Sequence, residues 1–444
     1  MVSRSDFPED FVWGASTASY QIEGGYKEGG RGLSIWDAFS AEPGRVKNGD
    51  TANVACDHYH RYAEDVALMK AANFRAYRFS VSWSRVLPEG RGAPNEAGLD
   101  FYDRLTDELL KNGVEPWLCL YHWDLPLALH QAGLGWTNRE IVPLFADYAG
   151  VLAKRLGDRI RTWATFNEPN MFTMLGYGAG VHAPGIRDRE AWLDAVHHVN
   201  LSHGAAIRRL RADLPSGAKL GTVPNLQPAL PATDTDEDLE AARKMEAAMN
   251  RATADPVFLG KYDPITRDWM GARIRPGDEE AIYAPLDWLG LNHYSPTYAS
   301  ARANAFGFRN MDPPEGAEKT LMGWHVSPPA FRDILIETSK RYRLPVYVTE
   351  NGMADSVEPD AKGVVEDAGR VSYLDRYLGA AAEACAAGAD VRGYFVWSML
   401  DNFEWAMGYG PRFGIVHVDY ATLKRTPKAS YRFLAGLAGA SVRA

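Results

Sequence analysis

The chain has 444 residues, 46% of them hydrophobic and 24% charged, with a formal net charge of −9. That is enough apolar material for a large core, while the acidic balance without any Lys/Arg run repels phosphate backbones and excludes nucleic acid as an expected partner. Cys56, Cys119 and Cys385 are too few and too widely spaced for a disulfide framework or a zinc pattern, and no run of about 18 apolar residues exists to span a membrane.

The chain starts MVSRSDFPEDFVWG, without an apolar stretch of signal-peptide type, which predicts a cytoplasmic location. Short apolar runs that read as strands follow at 11–17, 74–80, 116–121, 161–166, 218–224, 287–292, 345–349 and 393–398. Helical patterns at 58–72, 99–112, 140–157, 190–213, 327–342 and 371–387 lie between most of them. Segments 300–325 and 353–367, rich in Gly, Pro and acidic residues, read as functional loops rather than linkers. Eight strands alternating with helices predict a parallel closed sheet, a single (β/α)8 TIM barrel domain over residues 1–444. An open doubly wound sheet is the alternative, but no Gly-x-Gly-x-x-Gly follows the first strand.

A barrel places its active residues at the C-terminal ends of the strands. The expected ends carry Arg78, His122-Trp123-Asp124, Asn167-Glu168-Pro169, Asn225, Asn292-His293-Tyr294, Glu350-Asn351-Gly352 and Trp397, with Asp401 to Trp405 just beyond. Solvated loops favour Lys, Ser and Asp, whereas these positions favour Trp, Glu, Asn, His and Tyr. Flat indole faces suit the C–H face of a sugar ring. Two carboxylates, Glu168 closing strand 4 and Glu350 closing strand 7, can flank a scissile glycosidic bond across the mouth, as glycoside hydrolysis requires. A gap of about 5–5.5 Å between them gives retention and a wider one inversion, so the spacing in sequence leaves both outcomes open.

Thr165–Pro169 (TFNEP) and Val348–Gly352 (VTENG) resemble the two signatures of family 1 glycoside hydrolases, the β-glucosidase family. Phe11–Ala18 (FVWGASTA), Tyr20–Gly24 (YQIEG), Tyr77–Ser80 (YRFS), Leu120–Asp124 (LYHWD), His182–Gly185 (HAPG), Asp401–Trp405 (DNFEW) and Arg412–Tyr420 (RFGIVHVDY) match in the same order, so the resemblance runs from about residue 6 to about 436. It implies a retaining, exo-acting β-glucosidase acting on cellobiose-like disaccharides and aryl or alkyl β-glucosides, with no cofactor and no metal. By that resemblance Glu168 is the acid/base and Glu350 the nucleophile, with Arg78 and Tyr294 against Glu350. Asn167 would contact the sugar 2-hydroxyl, and Gln21, His122 and Glu404 the remaining hydroxyls. Trp397 would stack under the ring, Trp405 would line the outer edge, Trp123 and Asn292 would belong to the same pocket, and Trp324 would offer an aglycone platform.

Glu404 stands where relatives acting on phosphorylated glucosides carry cationic and hydroxyl residues, which argues against a phosphorylated substrate. Glu168 is intact where thioglucosidase relatives carry Gln. His293 departs from the family's frequent Tyr and is expected to shift the pocket edge or the pH profile slightly. Galactoside- or fucoside-leaning specificity, transglycosylation and a catalytically weak sugar-binding barrel are the alternatives, and oligomeric state is not encoded in these signals. Asp57-His-Tyr-His60 begins a helix and reads as structural rather than metal-binding, and His197, His198 and His203 fall on a helical pattern as packing or surface residues.

Overall fold

The computed structural model describes residues 1–301 and 304–439. Residues 302 and 303, within the expected loop 300–325, lie outside them. Eight parallel strands close into a barrel in chain order: β1 (Val12–Ser16), β2 (Ala76–Ser80), β3 (Glu115–Tyr121), β4 (Thr162–Asn167), β5 (Lys219–Val223), β6 (Trp288–Asn292), β7 (Val346–Asn351) and β8 (Val391–Trp397). Strand β8 returns to β1 with Gly14 opposite Phe395 and Ser16 opposite Trp397. Each expected strand is found, and β7 runs two residues further than expected, so Glu350 and Asn351 stand on the strand itself. The strands are almost wholly buried on both faces, which is why they read as continuous apolar runs rather than alternating ones.

The expected helices form as His58–Ala71, Glu96–Lys111, Ile141–Leu156, Arg189–Asp213, Pro328–Tyr342 and Ala368–Ala386. The longest begins where Asp188 accepts a hydrogen bond from the Ala191 N–H, an N-cap that fixes its first turn. Helices at Asp236–Glu246, Ala252–Leu259 and Pro264–Met270, between β5 and β6, and at Ala429–Leu437, after β8, were not anticipated. Among the described residues no helix is long and apolar enough to cross a membrane.

The lower barrel is filled by Ala76, Trp117, Cys119, Ala164, Val223, Trp288 and Phe395. Trp117 packs against Trp288, Tyr347 and Phe395 at ring separations of 5.2, 4.8 and 4.9 Å. Glycine makes room for these rings: a Cβ on Gly221 would stand 2.5 Å from the Trp288 indole, and one on Gly14 2.6 Å from the Phe395 ring. The aromatic plug closes the bottom, so the polar strand ends face a blind mouth.

Candidate active site

Strands β4 and β7 deliver the two carboxylates. Glu350 is buried, with Oε1 accepting from Arg78 Nη1 at 2.7 Å and Oε2 from the Tyr294 hydroxyl at 2.9 Å. Burial pushes its carboxyl up, and Arg78 and the Tyr294 hydroxyl pull it back towards the ionised form. Burial therefore outweighs the expected effect of Arg78 in the net direction.

Glu168 is buried without a cation bonded to it. Asn292 Nδ2 and Asn225 Nδ2 both donate to its Oε1 at 2.8 Å, leaving Oε2 free to carry a proton. Burial first, and the Glu350 charge second, push its pKa up to about 8. The two environments therefore drive the carboxylates apart, which is how one site separates an acid from an ionised partner.

Asn167 joins them. Its Oδ1 accepts from Arg78 Nη2 at 2.5 Å and Asn292 Nδ2 at 3.0 Å, and its Nδ2 donates to His122 Nε2 at 3.0 Å. Since Nε2 accepts, the neutral imidazole carries its proton on Nδ1; burial keeps His122 well below its ordinary pKa. His122 Nδ1, Gln21 Oε1 and Glu404 Oε2 are buried polar atoms with no hydrogen-bond partner among the described residues. Buried polar groups are normally satisfied, so three orphans at one barrel mouth mark where a polar ligand completes the structure. Burial, then the charges of Glu350 and Glu168, pushes Glu404 up to about 8.

The indoles form the wall. Trp405 stacks on Trp123 at 4.6 Å and packs against Trp36 at the same separation. Trp397 faces His122 at 5.7 Å, and the half-buried Trp324 packs on Tyr294 at 5.1 Å. Among the described residues, three of the nine non-glycine residues with positive φ lie here: Trp123 (80°), Glu168 (49°) and Trp405 (48°). Such conformations cost about 1–3 kcal/mol each and cluster at functional sites.

The structure brings every expected site residue to this mouth, but it spends some differently. The Asn292 amide is taken up by Glu168 and Asn167, and its Oδ1 by the Thr349 hydroxyl. The Trp123 indole N–H donates to the Asn167 carbonyl, so only its ring face remains. Asn225, expected only as a strand end, instead bonds Glu168, and its place in chain order after β5 is the sign the sequence offers of that contact. His293 points away: Nδ1 lies 2.8 Å from the Leu226 carbonyl and the ring stacks on Phe331. Burial holds it neutral, at about 4, so it brings no charge to the pair near neutral pH, which corrects the expected influence on the pH profile.

His58, His60, His197, His198 and His203 make structural contacts. His58 bonds Asp65, His60 bonds Asp57 and Glu28, His197 bonds Tyr262 and Asp278, His198 lies against the Trp136 carbonyl, and His203 bonds Thr165. Among the described residues no three His, Cys, Asp or Glu side chains group as metal ligands.

A closed (β/α)8 barrel with two differently tuned carboxylates, an aromatic wall and orphan hydroxyl partners defines a barrel of the glycosidase class. The chain belongs to glycosyl hydrolase family 1, whose family model matches residues 3–441. It is 43% identical over 438 residues to β-glucosidase A of Acetivibrio thermocellus, covering 97% of each chain. It is 44% identical to β-glucosidase A of Thermotoga maritima, covering 96% of each. The solved T. maritima β-glucosidase in complex with deoxynojirimycin superposes with a TM-score of 0.93 at 42% identity, covering 97% of this chain and 98% of that one. A psychrophilic β-glucosidase from Micrococcus antarcticus superposes at 0.94 with 43% identity over 100% of both.

Proposed function

We propose that this chain is a retaining, exo-acting β-glucosidase, working as one catalytic unit on terminal β-D-glucosyl residues of cellobiose-like disaccharides and aryl or alkyl β-glucosides. The relatives' β-glucosidase names support the activity, and the unequal carboxylate environments support the mechanism. Protonated Glu168 gives its proton to the glycosidic oxygen as Glu350 attacks the anomeric carbon, so the C–O bond to the aglycone breaks as an ester to Glu350 forms. That ester removes the Glu350 charge, the second-largest influence raising Glu168. Glu168, left deprotonated by the first step, is then less costly to keep ionised, and as a base it takes a proton from the water that hydrolyses the ester, which restores both carboxyl groups. His122 Nδ1–H offers a donor to the sugar, and Gln21 Oε1 and Glu404 Oε2 offer acceptors.

The test is proton NMR of 4-nitrophenyl β-D-glucoside turnover from its first minutes. β-Glucose appearing first, then mutarotating, is expected. α-Glucose first would mean a single inversion and would overturn the covalent route. Galactoside and fucoside run alongside probe specificity, because one relative is named a bifunctional β-D-glucosidase/β-D-fucosidase.

A further inference from the structure

The segment that carries Glu404 hangs from a buried ion cluster. Asp401 is fully buried; its Oδ1 accepts from Lys428 Nζ at 2.8 Å and the Gly414 N–H at 2.9 Å, and its Oδ2 from Arg412 Nη1 at 3.0 Å. The Lys428 side chain is also fully buried, and Asp401 is its one hydrogen-bond partner among the described residues. The backbone is tied to the same place: Asp401 N–H donates to the Val416 carbonyl and Lys428 N–H to the Ile415 carbonyl, both at 2.9 Å.

One residue beyond this anchor, Asn402 is held at both ends of its amide. Nδ2 donates to Ser398 Oγ at 3.1 Å and the Leu400 carbonyl at 2.9 Å, while Oδ1 accepts from Gln21 Nε2 at 3.0 Å. Gln21 Nε2 also donates to the Phe403 carbonyl at 2.9 Å, and the Phe403 N–H donates to the Gln21 carbonyl at 3.2 Å. Gln21 on the first βα loop and Glu404 on the last are therefore fastened to one hub, and each ends in an orphan acceptor.

A buried ion pair is weak support for stability alone, because apolar side chains of similar volume often hold a fold as well. A pair bonded to backbone and side chain from several directions fixes an orientation, which a recognition site needs. We propose that Lys428 is a positioning residue for sugar recognition: through Asp401 it holds Gln21 and Glu404 in one geometry against the sugar hydroxyls. This rests on the β-glucosidase reading.

Lys428→Met removes the charge at similar length. It is assayed with 4-nitrophenyl β-glucoside and with the series of monodeoxy glucosides, each lacking one hydroxyl. The expected result is a loss of about tenfold or more in kcat/KM for the glucoside, carried mainly by KM. The loss should shrink to about threefold or less for at least one deoxy sugar, the one whose hydroxyl meets the displaced acceptors. An equal loss on every sugar, or unchanged kinetics with only a lower melting temperature, would overturn the proposal. If Lys428→Met does not fold, Arg412→Met, which removes the more exposed cation of the cluster, is scored by the same pattern. A native enzyme that leaves the glucoside untouched would instead overturn the β-glucosidase reading.

Discussion

The floor and the mouth of the barrel are built from the same eight strands and solve opposite problems. At the floor, Trp117 packs on Trp288, Tyr347 and Phe395 within 5.2 Å and Trp288 on Tyr347 at 6.0 Å, and the Trp117 indole N–H is the one fully buried polar atom of these rings without a partner among the described residues. At the mouth, a few residues along the same strands, burial is as deep but the polar side chains are left with unmet bonds and the backbone takes up positive φ. The floor is optimised for itself. The mouth is completed by something else, and the strain and desolvation it carries are supported by the packing beneath.

Substitutions should separate the two regions. The largest effect is expected from Glu350→Gln, which removes the attacking carboxylate: kcat should fall by on the order of 10^4 or more. In that variant Glu168 should also titrate lower, since a like charge that raises it has gone. Next, Glu168→Gln should cost about 10^2–10^4 on a glucoside with a poor leaving group and much less on a dinitrophenyl glucoside, which departs without a proton. In the unmodified enzyme the acid form of Glu168 is required, so kcat/KM should decline as pH rises through about 8.

At the floor the readout reverses. Trp117→Ala should lose about 3–5 kcal/mol of stability, as a large buried ring leaves a cavity, while KM at a temperature where the variant is folded stays near the native value. A raised KM with no loss of stability would contradict a floor that serves packing alone.

The smallest effect on activity is expected from an acid limb confined to stability. His203 is held at about 3, and His182 and His293 at about 4, each chiefly by burial. Their folded pKa values lie below the ordinary 6.5, so the stability they contribute is present above about pH 6.5 and is lost as pH falls from there towards 4. Each should add a slope of about 1.4 kcal/mol per pH unit in that window, measurable by denaturant titration. His293→Phe should reduce the slope without moving the activity profile.

The barrel was legible because buried parallel strands are apolar throughout and the helices between them are long. The helices between β5 and β6 escaped because they are short, and the first of them, Asp236–Glu246, is highly charged, so the segment lacks a long apolar periodicity. Much of the site was legible too, since Glu168, Glu350, His122 and Trp397 all fall at strand ends once eight strands are assigned. What each side chain is bonded to was not. Asn225 on Glu168, Asn292 spent on a carboxylate rather than left for a ligand, and Lys428 under Asp401 are contacts across 57, 124 and 27 residues of chain. Closure of the barrel defines the first two, and the fold of the segment after β8 the third.

Retention by this route requires that Glu350 become covalently attached to the sugar. Incubation with a 2-deoxy-2-fluoro β-glucoside bearing a dinitrophenolate leaving group, followed by proteolysis and mass spectrometry, tests it directly. Loss of activity is expected as one fluoroglucosyl unit accumulates on the peptide containing Glu350, with recovery as the adduct turns over. A fully inhibited enzyme with no adduct, or an adduct on any other residue, would contradict it.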